Sequence, residues 1–526
     1  MYGVKDIIAI VQKARFGVVF RFMRGVRLSS LVLVFALLAG CATVRFDNAH
    51  EYSDAISAAE DTPLRSIAER WNGNEVGRSG FYPLIGGNDA LGARLWLMDT
   101  AQKSIDAQTF LMKSDLASLV VTNHLMLAAD RGVRVRFLLD DAFTTVDDKV
   151  LLLADAHPNI EVRLYNPISR RGVSMLNAIG DFRRANRRMH NKSFTVDNQM
   201  TIVGGRNIAD EYFELRPKYE FLDLDVLAVG PVAQDVSAVF DRFWNHGLSV
   251  PMEVVRKKLT EFELQAAQQQ IRDDVRDRDD AIYRHAINSP LLKNLISGET
   301  SLFSAGVEVV TDEPEKLERP VAQENMTLVN HLDNAIRAAS SEVLVLTPYL
   351  IPGKKGVAFW RSIVEKGVRV VILTNSLASN HHTYMHAGYA KYRKDLLSAG
   401  IELYEARADA VPRESSAESV TLHIKGVIMD RRRVFVGSPN FDSRSLQINS
   451  EMGLIIDSAD MSSQLAEGLM QRLPRLAYRV LLDAKGKLQW RGMIDGVETI
   501  ETSEPLAGRW LKFKSWLSKS LSEKQL

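Results

Sequence analysis

Two copies of one short pattern of reactive residues occur in the chain. Both copies read His-x-Lys-x-x-x-x-Asp, and their members are His190, Lys192 and Asp197 in the first copy and His423, Lys425 and Asp430 in the second. Two histidines in matching settings can attack a phosphorus centre with one imidazole and protonate the leaving oxygen with the other. A single His-x-Lys is usually an exposed pair on an edge strand, and any single short motif is weak support for a function. The duplication favours a catalytic site for phosphoryl transfer.

Apolar residues alternate around each histidine as they do on a β-strand, namely Phe194 and Val196 in the first copy and Val427 and Met429 in the second. Side chains at positions i and i+2 of a strand leave the same face. The spacing therefore predicts that each His and its Lys project together toward one ligand. The two Asp stand an odd number of residues further on, where a turn is expected. We interpret Asp197 and Asp430 first as turn or support residues and second as direct participants.

The repeat extends beyond the motifs. A Gly-Val-Arg-Val segment begins at Gly132, 58 residues before His190, and again at Gly367, 56 residues before His423. Residues 159–165 and 400–404 form a further matching pair. Self-similarity at so long a period predicts an α/β chain built from two homologous halves.

The doubled motif resembles the phospholipase D superfamily, and the flanking residues resemble its cardiolipin synthase branch, in particular the bacterial cardiolipin synthase C type. Residues 204–213 are similar to that branch's first motif, and residues 440–445 with 449–451 are similar to its second. The likeness covers nearly everything from about residue 80 onward. It implies two mixed-sheet halves flanked by helices, packed about a pseudo-twofold axis with one shared active site.

The resemblance also implies a two-step mechanism without metal or cofactor. His190 would be the nucleophile that forms a phosphohistidine, and His423 the acid and then the base. The phosphoryl oxygens would be held by Lys192, Lys425, Asn207 and Asn440. The matching acidic partners, which in the family reach across the two halves, are Asp223 and Glu451. Gly205 stands where the second copy has Ser438, so the two halves are chemically unequal.

The N-terminal segment has the pattern of an export signal. Arg24 and Arg27 precede the apolar run 31–38, and Leu-Ala-Gly precedes Cys41. This pattern resembles a bacterial lipoprotein signal, in which Cys41 is lipidated and becomes the mature N-terminus. The resemblance implies a protein of the bacterial cell envelope, anchored by Cys41 and facing the periplasm, in the inner or the outer membrane. An uncleaved membrane anchor and initiation at Met23 are the alternatives.

The single cysteine and the charge balance narrow the function. Cys41 has no cysteine partner in the chain, so neither a disulfide nor a site of several thiolates is available. Residues 1–40 hold six of the 66 basic residues and one of the 65 acidic residues, which leaves 60 against 64, or a net charge of −4, from Cys41 onward. A nucleic-acid enzyme normally carries a basic surplus. One local cluster of positive charge stands out from this balance, formed by Arg183, Arg184, Arg187 and Arg188. We interpret this run either as solvated surface or as a site that gathers anionic lipid headgroups.

The predicted organisation is a signal at 1–40, an irregular polar tether at 41–80, a first domain at 81–250, a connector with a charged helix at 251–325, a second domain at 326–480 and a C-terminal tail at 481–526. In the tail, residues 510–517 combine aromatic and basic residues as an interfacial helix does, although packing on the body is slightly favoured. His381, His382 and His386 have a spacing compatible with zinc, but no thiolate or well-placed carboxylate accompanies them. The segment 386–389 resembles a cleft-lining segment of the family, so we expect cleft residues and no metal.

Two classes of function remain. The first is a membrane-anchored phosphatidyltransferase that makes cardiolipin from phosphatidylglycerol and a second phospholipid such as phosphatidylethanolamine, with hydrolysis to phosphatidic acid as its close variant. The second is a nuclease, another non-lipid phosphodiesterase or a catalytically inactive binding protein. Intact motifs, the charge and the fused repeat favour the first class, with no nucleic-acid partner. We expect a monomer with an internal pseudo-dimer, and the resemblance also admits a soluble helper protein.

Overall fold

The computed structural model describes residues 46, 51–58, 61–72, 77–169, 181–216, 218–256, 258–299, 301–319, 327–411, 417–494 and 496–519. The predicted signal at 1–40 and Cys41 lie outside these residues. Phe46–Pro167 and Asn186–Leu526 form one compact unit, which contains every histidine and lysine of the doubled motif. A second unit contains Met1–Arg45 and Ile168–Ala185. Within its described part, Arg184 pairs with Asp181 at 2.5 Å.

The described strands of the first half precede residue 252. They are β1 (Ser79–Leu84), β2 (Ser104–Thr109), β3 (Arg134–Asp140), β4 (Ile160–Tyr165), β5 (Ser193–Val196), β6 (Met200–Gly204), β7 (Glu220–Leu222), β8 (Asp225–Val229) and β9 (Ser249–Pro251). Those of the second half are β10 (Phe303–Thr311), β11 (Glu342–Leu346), β12 (Arg369–Asn375), β13 (Glu402–Ala406), β14 (Val420–Leu422), β15 (Gly426–Met429), β16 (Arg433–Gly437), β17 (Met452–Asp457), β18 (Ala477–Leu482), β19 (Leu488–Ile494) and β20 (Val497–Glu501).

Eighteen of the described strands form one continuous mixed sheet. The first half runs β9-β4-β3-β2-β5-β6-β8-β1, and the second half repeats this order as β18-β13-β12-β11-β15-β16-β17-β10. The halves join where β1 and β10 pair antiparallel, and β7 and β14 make a separate parallel pair with one strand from each half. The predicted α/β fold of two homologous mixed-sheet halves about a pseudo-twofold is confirmed.

The described residues also form helices. They are α1 (Pro63–Asn72), α2 (Gly87–Thr100), α3 (Leu116–Asp130), α4 (Asp148–Asp155), α5 (Phe182–Ala185, in the second unit), α6 (Val232–Trp244), α7 (Met252–Val255), α8 (Glu261–Ile287), α9 (Pro290–Ser297), α10 (Thr327–Arg337), α11 (Gly353–Glu365), α12 (Thr383–Ala390), α13 (Arg393–Ser398), α14 (Ser443–Gln447), α15 (Ala459–Leu476) and α16 (Arg509–Ser518). Short 3₁₀ helices span Asp210–Tyr212 and Pro314–Leu317. Among the described residues, no helix has both the length and the apolar character that crossing a bilayer requires.

The charged helix predicted between the halves is α8. A capping box begins it, because the Thr260 side chain accepts from the backbone of Glu263 while the Glu263 side chain accepts from the backbone of Thr260. Its apolar residues pack on the first half, where Ile271 meets Leu153 in a small buried cluster. The helix therefore extends the first half as well as leading to the second.

Three predicted boundaries differ from the structure. The predicted connector contains β10, which is hydrogen-bonded to β17 and belongs to the sheet of the second half. The predicted tail contains β19, β20 and α16. The predicted irregular tether contains α1, and its residues 51–58 are held on the body by buried arginines: Arg136 donates to the carbonyl oxygen of Ser53 at 2.6 Å, and Arg163 donates to that of Glu51 at 2.7 Å. Such long-range side-chain bonds are invisible in local patterns.

Candidate active site

Each motif histidine is held by a carboxylate from the opposite half. The Nδ1 atom of His190 lies 2.7 Å from Oε2 of Glu451, and the Nδ1 atom of His423 lies 2.6 Å from Oδ2 of Asp223. Both carboxylates are fully buried. A carboxylate on Nδ1 fixes the ring orientation and leaves Nε2 available for chemistry. These contacts agree with the cross-half pairing that the family resemblance implied.

Backbone hydrogen bonds between the two halves place each histidine beside the carboxylate of the opposite half. The His190 amide donates to the carbonyl oxygen of Ser450 at 2.9 Å, directly before Glu451, and Met189 forms a parallel bridge with Ser450. In the other half the His423 amide donates to the carbonyl oxygen of Leu222 at 2.7 Å, directly before Asp223. Each histidine is thus aligned with the strand segment that carries its carboxylate.

The motif begins in an extended segment rather than on a strand. Strand β5 starts at Ser193, after His190 and Lys192, and strand β15 starts at Gly426, after Lys425. The prediction that these pairs lie on regular strands is therefore wrong by a few residues, because the backbone amides of His190 and His423 bond to the opposite half. The side chain of each motif lysine nevertheless contacts the histidine of its own motif. Lys192 Nζ donates to the carbonyl oxygen of His190 at 2.7 Å, and Lys425 Nζ lies 3.1 Å from Nε2 of His423.

The two motifs form one electrostatic site. Burial, reinforced by Lys192 and Lys425, holds the pKa of His190 well below its usual range. Burial and Lys425 likewise lower the pKa of His423 to about 3. Burial lowers the pKa of Lys192 to about 7 and that of Lys425 to about 8. Both imidazoles are consequently neutral at neutral pH, as a nitrogen nucleophile must be.

The carboxylates differ in their electrostatics. Burial raises the pKa of Glu451. Burial also opposes ionisation of Asp223, but its interaction and hydrogen bond with His423 and the positive charge of Lys425 outweigh burial and lower the pKa of Asp223. An ionised Asp223 stabilises a proton on His423, which fits the acid and base role better than the role of nucleophile.

The motif aspartates contact backbone amides at the far ends of their strands. The Asp197 carboxylate accepts from the amides of Gln102, Lys103 and Ser104 at 2.7 to 3.2 Å, beside the start of β2. The Asp430 carboxylate likewise accepts from the backbone amides of residues 340–342, beside the start of β11. Both residues adopt a positive φ, 51° and 54°, as turn residues do. This geometry supports the first interpretation, a turn and anchoring role, rather than direct participation in catalysis.

Gly205 and Ser438, the unequal residues at equivalent positions of the two halves, have different contacts. The Ser438 hydroxyl donates to Oε2 of Glu451, the same oxygen that meets His190. At Gly205 a Cβ atom would collide with the Asp223 carboxylate, whose carbon would lie 2.9 Å away. A glycine is therefore required at the first position, while the second position uses its serine to support the glutamate.

The two predicted phosphate-binding asparagines are buried beside the motifs. Asn207 and Lys192 line the same internal cavity, of about 30 Å³. The Asn207 amide donates to the hydroxyl of Tyr212 at 2.8 Å. The backbone amide of Asn440 donates to the Ser445 hydroxyl at 3.2 Å. The side-chain oxygens of both asparagines have no hydrogen-bond partner within the described part of the chain.

Aromatic rings flanking the histidines were missed in the sequence. Phe110 meets His190 edge-on, with ring centroids 4.6 Å apart, and Phe221 stacks on His423 at 5.1 Å and 9°. Tyr212 meets His423 edge-on at 5.2 Å. These rings exclude water from the imidazoles and strengthen the electrostatic interactions there.

The arginine run before the first motif does not act as a unit. Arg188 is fully buried, with its guanidinium 3.2 Å from the Asp140 carboxylate and 2.8 Å from the carbonyl oxygen of Asn166. Arg187 donates to the carbonyl oxygen of Leu317 at 3.0 Å. Neither sequence interpretation, solvated surface or headgroup collector, describes Arg188. It supports the chain that leads into His190.

The three clustered histidines have separate surroundings. His381 lies beside Phe221, the ring that stacks on His423, with centroids 5.9 Å apart. His382 lies beside Tyr349 at the same separation. His386 is buried, and its ring lies with the carboxylates of Glu405 and Glu504, all within 4.8 Å of one another. Carboxylates are thus present, contrary to the sequence prediction. The guanidinium of Arg393, 2.9 Å from Nε2 of His386, supplies the positive charge of this cluster.

Comparison with known proteins identifies the family. The family described as cardiolipin synthase, PLD-like domain, matches residues 95–244 and 332–473, one match in each half. The chain belongs to this family. Cardiolipin synthase C of Escherichia coli K12 is 38% identical over 82% of this chain and 93% of its own length. An uncharacterized protein of Helicobacter pylori strain 26695 is 31% identical over 88% of this chain and 93% of its own length.

The fold also matches a solved structure. Phosphatidylserine synthase of Haemophilus influenzae covers 88% of this chain and is itself covered completely, with a TM-score of 0.56 and 13% identity. At this identity the likeness concerns the fold alone. Family membership confirms the prediction of a phospholipase D-type phosphatidyltransferase.

Proposed function

We propose that this protein makes cardiolipin by transferring a phosphatidyl group from one phospholipid to the free hydroxyl of phosphatidylglycerol. The observation that carries the proposal is the pair of buried histidines, each bound through Nδ1 to a carboxylate of the other half. Family membership and the name of the Escherichia coli relative support a phospholipid substrate. The predicted lipidation of Cys41, which would hold the enzyme at its substrate, remains a prediction.

The first step forms a phosphohistidine on His190. Nε2 of neutral His190 attacks the phosphorus of the donor, phosphatidylglycerol or phosphatidylethanolamine, and the bond to the headgroup oxygen breaks. His423 gives its proton to that oxygen, which leaves as glycerol or ethanolamine. The negative charge of the bound phosphodiester and of Asp223 stabilises this proton on His423. The two lysines balance the charge of the transferred phosphoryl group.

The second step reverses the proton transfer. His423 takes the proton of the terminal hydroxyl of a phosphatidylglycerol, whose oxygen attacks the phosphohistidine. The bond between phosphorus and His190 breaks, cardiolipin leaves and His190 is neutral again. Water in place of the lipid hydroxyl would give phosphatidic acid. The aromatic rings against both imidazoles favour the lipid acceptor by excluding water.

The test measures the lipids of cells that lack cardiolipin and express the full chain. We expect cardiolipin to appear with the wild-type chain and with His331→Ala, which changes an exposed histidine far from the motifs in sequence, and to be absent with His190→Ala. Phosphatidic acid in place of cardiolipin would assign hydrolysis instead. Full activity of His190→Ala would refute the mechanism.

A second experiment tests the covalent step. A donor labelled in its phosphate and carrying a good leaving group needs little acid catalysis, so His423→Ala should accumulate label on the protein. The label should be acid-labile, as a phosphohistidine is, and it should be absent from His190→Ala. Label that persists in His190→Ala would move the nucleophile elsewhere.

A further inference from the structure

The C-terminal helix α16 exposes aromatic side chains. Trp510 and Trp516 are each 65% exposed and Phe513 is 47% exposed. They stack in a row, with centroids 5.6 Å apart between Trp510 and Phe513 and 6.0 Å apart between Phe513 and Trp516. Leu517 extends the apolar surface and is 59% exposed. An apolar row of this size on a soluble surface marks an interaction site.

Positive charge accompanies these rings without acidic compensation. The basic residues are Arg509, Lys512, Lys514 and Lys519, and the sequence has no acidic residue after Glu504 up to Lys519. Lys514 Nζ lies 5.3 Å from the ring centroid of Trp510. Aromatic and basic residues interleaved in this way suit a surface that is apolar in its interior and anionic at its edge.

The helix is held firmly against the second half. It packs on α12, and Ser515 on its inner side is buried. Shortly before the helix, the Glu504 carboxylate pairs with the buried Arg393 guanidinium at 2.8 Å. Arg393 also reaches the fully buried Glu405 at 3.2 Å. This ion-pair network fixes the C-terminal segment to the second half.

The residues directly before α12, on which α16 rests, contact the site. Helix α12 follows His381 and His382 directly. The ring of His381 meets Phe221, which stacks on the ring of His423. A chain of contacts thus leads from α16 through α12, His381 and Phe221 to His423.

We propose that the outer face of α16 is the surface through which the enzyme sits on an anionic phospholipid bilayer, with its site turned to the lipid headgroups. The inference rests on the proposed function, since a lipid substrate gives the surface its purpose. Interfacial binding buries the aromatic rings at the headgroup level, and the lysines and arginine add attraction to anionic lipid.

The intrinsic tryptophans report this contact. The chain has seven tryptophans, and three of the other five, Trp244, Trp360 and Trp490, are buried. The full chain is mixed with phosphatidylglycerol vesicles whose acyl chains carry bromine, which quenches tryptophans that reach them. We expect quenching with the wild type, loss of most of it with Trp510→Ser/Trp516→Ser, and no loss with Phe262→Ser, which changes an 80% exposed ring on α8.

Turnover separates this inference from the proposed function. We expect the double variant to need at least about tenfold more vesicle lipid for half-maximal turnover, with kcat unchanged on a short-chain, monomeric phosphatidylglycerol. Turnover without quenching in the wild type would overturn the inference and leave the proposed function intact. Quenching without turnover of any lipid would refute the proposed function alone.

Two further outcomes count against the inference. Equal quenching by neutral phosphatidylcholine vesicles would overturn the part that concerns anionic lipid, as would unchanged quenching in Lys514→Glu. A double variant that still cosediments with the vesicles as the wild type does but loses turnover in cells would assign the surface to a protein partner.

Discussion

Replacing Asp223 by Asn should damage catalysis far more than replacing Asp197 by Asn. Asp223 is fully buried, and its carboxylate lies 2.6 Å from Nδ1 of His423. Asn has nearly the same shape but no charge, so a protonated His423 would lose its counter-ion in a buried site. Breaking such a buried pair costs about 3–5 kcal/mol. At about 1.36 kcal/mol per factor of ten, kcat should fall by about 10²- to 10⁴-fold.

Asp197 should show the opposite division between stability and catalysis. Its carboxylate accepts from three backbone amides at the start of β2, and β5 separates it from His190. Asn retains one acceptor oxygen, so we expect a loss of about 1–3 kcal/mol in the free energy of unfolding. The kcat of the folded enzyme should change by less than about threefold, because no catalytic atom loses a partner.

The assay compares both variants with the wild type in steady-state transfer on phosphatidylglycerol, after urea unfolding has shown how much of each variant is folded. Glu451→Gln is the matched variant in the other half and should also lose kcat with little loss of stability. The reasoning fails if folded Asp197→Asn loses more kcat than Asp223→Asn. It fails equally if Asp223→Asn stays within about tenfold of the wild type, below the smallest loss that a broken buried pair predicts.

Three further predictions follow from the site and the body. The pKa of Lys192 is about 7, so its positive charge is present below that pH and lost above it. In a pH–rate profile, kcat/KM for the anionic lipid should therefore fall as the pH rises from about 7 to 8. Lys192→Arg should move that fall to higher pH, because the guanidinium stays charged. Gly205→Ser should lower kcat by at least about 100-fold, because the new side chain displaces the Asp223 carboxylate. Ser438→Gly removes one hydrogen bond to the Glu451 carboxylate, so its kcat should stay within about tenfold of the wild type. Steady-state rates that rank the two variants in the reverse order would contradict this prediction. Arg136→Met removes the guanidinium that pairs with the carboxylates of Asp106 and Asp241. The free energy of unfolding, measured by urea denaturation, should fall by about 3–5 kcal/mol, and a loss below about 1 kcal/mol would contradict this prediction.

Local patterns in the sequence predicted much of the fold. The repeated Gly-Val-Arg-Val segments begin the equivalent strands β3 and β12, and the turn residues Asp197 and Asp430 take the expected left-handed conformation. Such features depend on neighbours within a few residues, through backbone geometry and alternation. The aromatic and basic segment at Trp510 was predicted as an interfacial helix or, slightly favoured, as a segment packed on the body, and α16 does pack on α12.

Long-range contacts were decided by the tertiary structure. No local rule shows that Arg188 is buried against Asp140, or that residues 51–58 are bound by Arg136. The predicted irregularity of residues 41–80 and, for Arg188, both interpretations of the arginine run were wrong for this reason: a charged residue in a short window has the same appearance whether its partner is water or a carboxylate many residues away.

The sequence by itself determined the chemistry of this protein, since the twin His-x-Lys motifs and the repeat supply two imidazoles, two ammonium groups and two matching halves. Only the tertiary structure decided how they are combined. His190 and Glu451 are 261 positions apart, and His423 and Asp223 are 200 apart. They meet because β1 and β10 join the halves antiparallel and bring the equivalent strands face to face. Burial of that interface lowers the pKa of both histidines, a property that no residue carries alone.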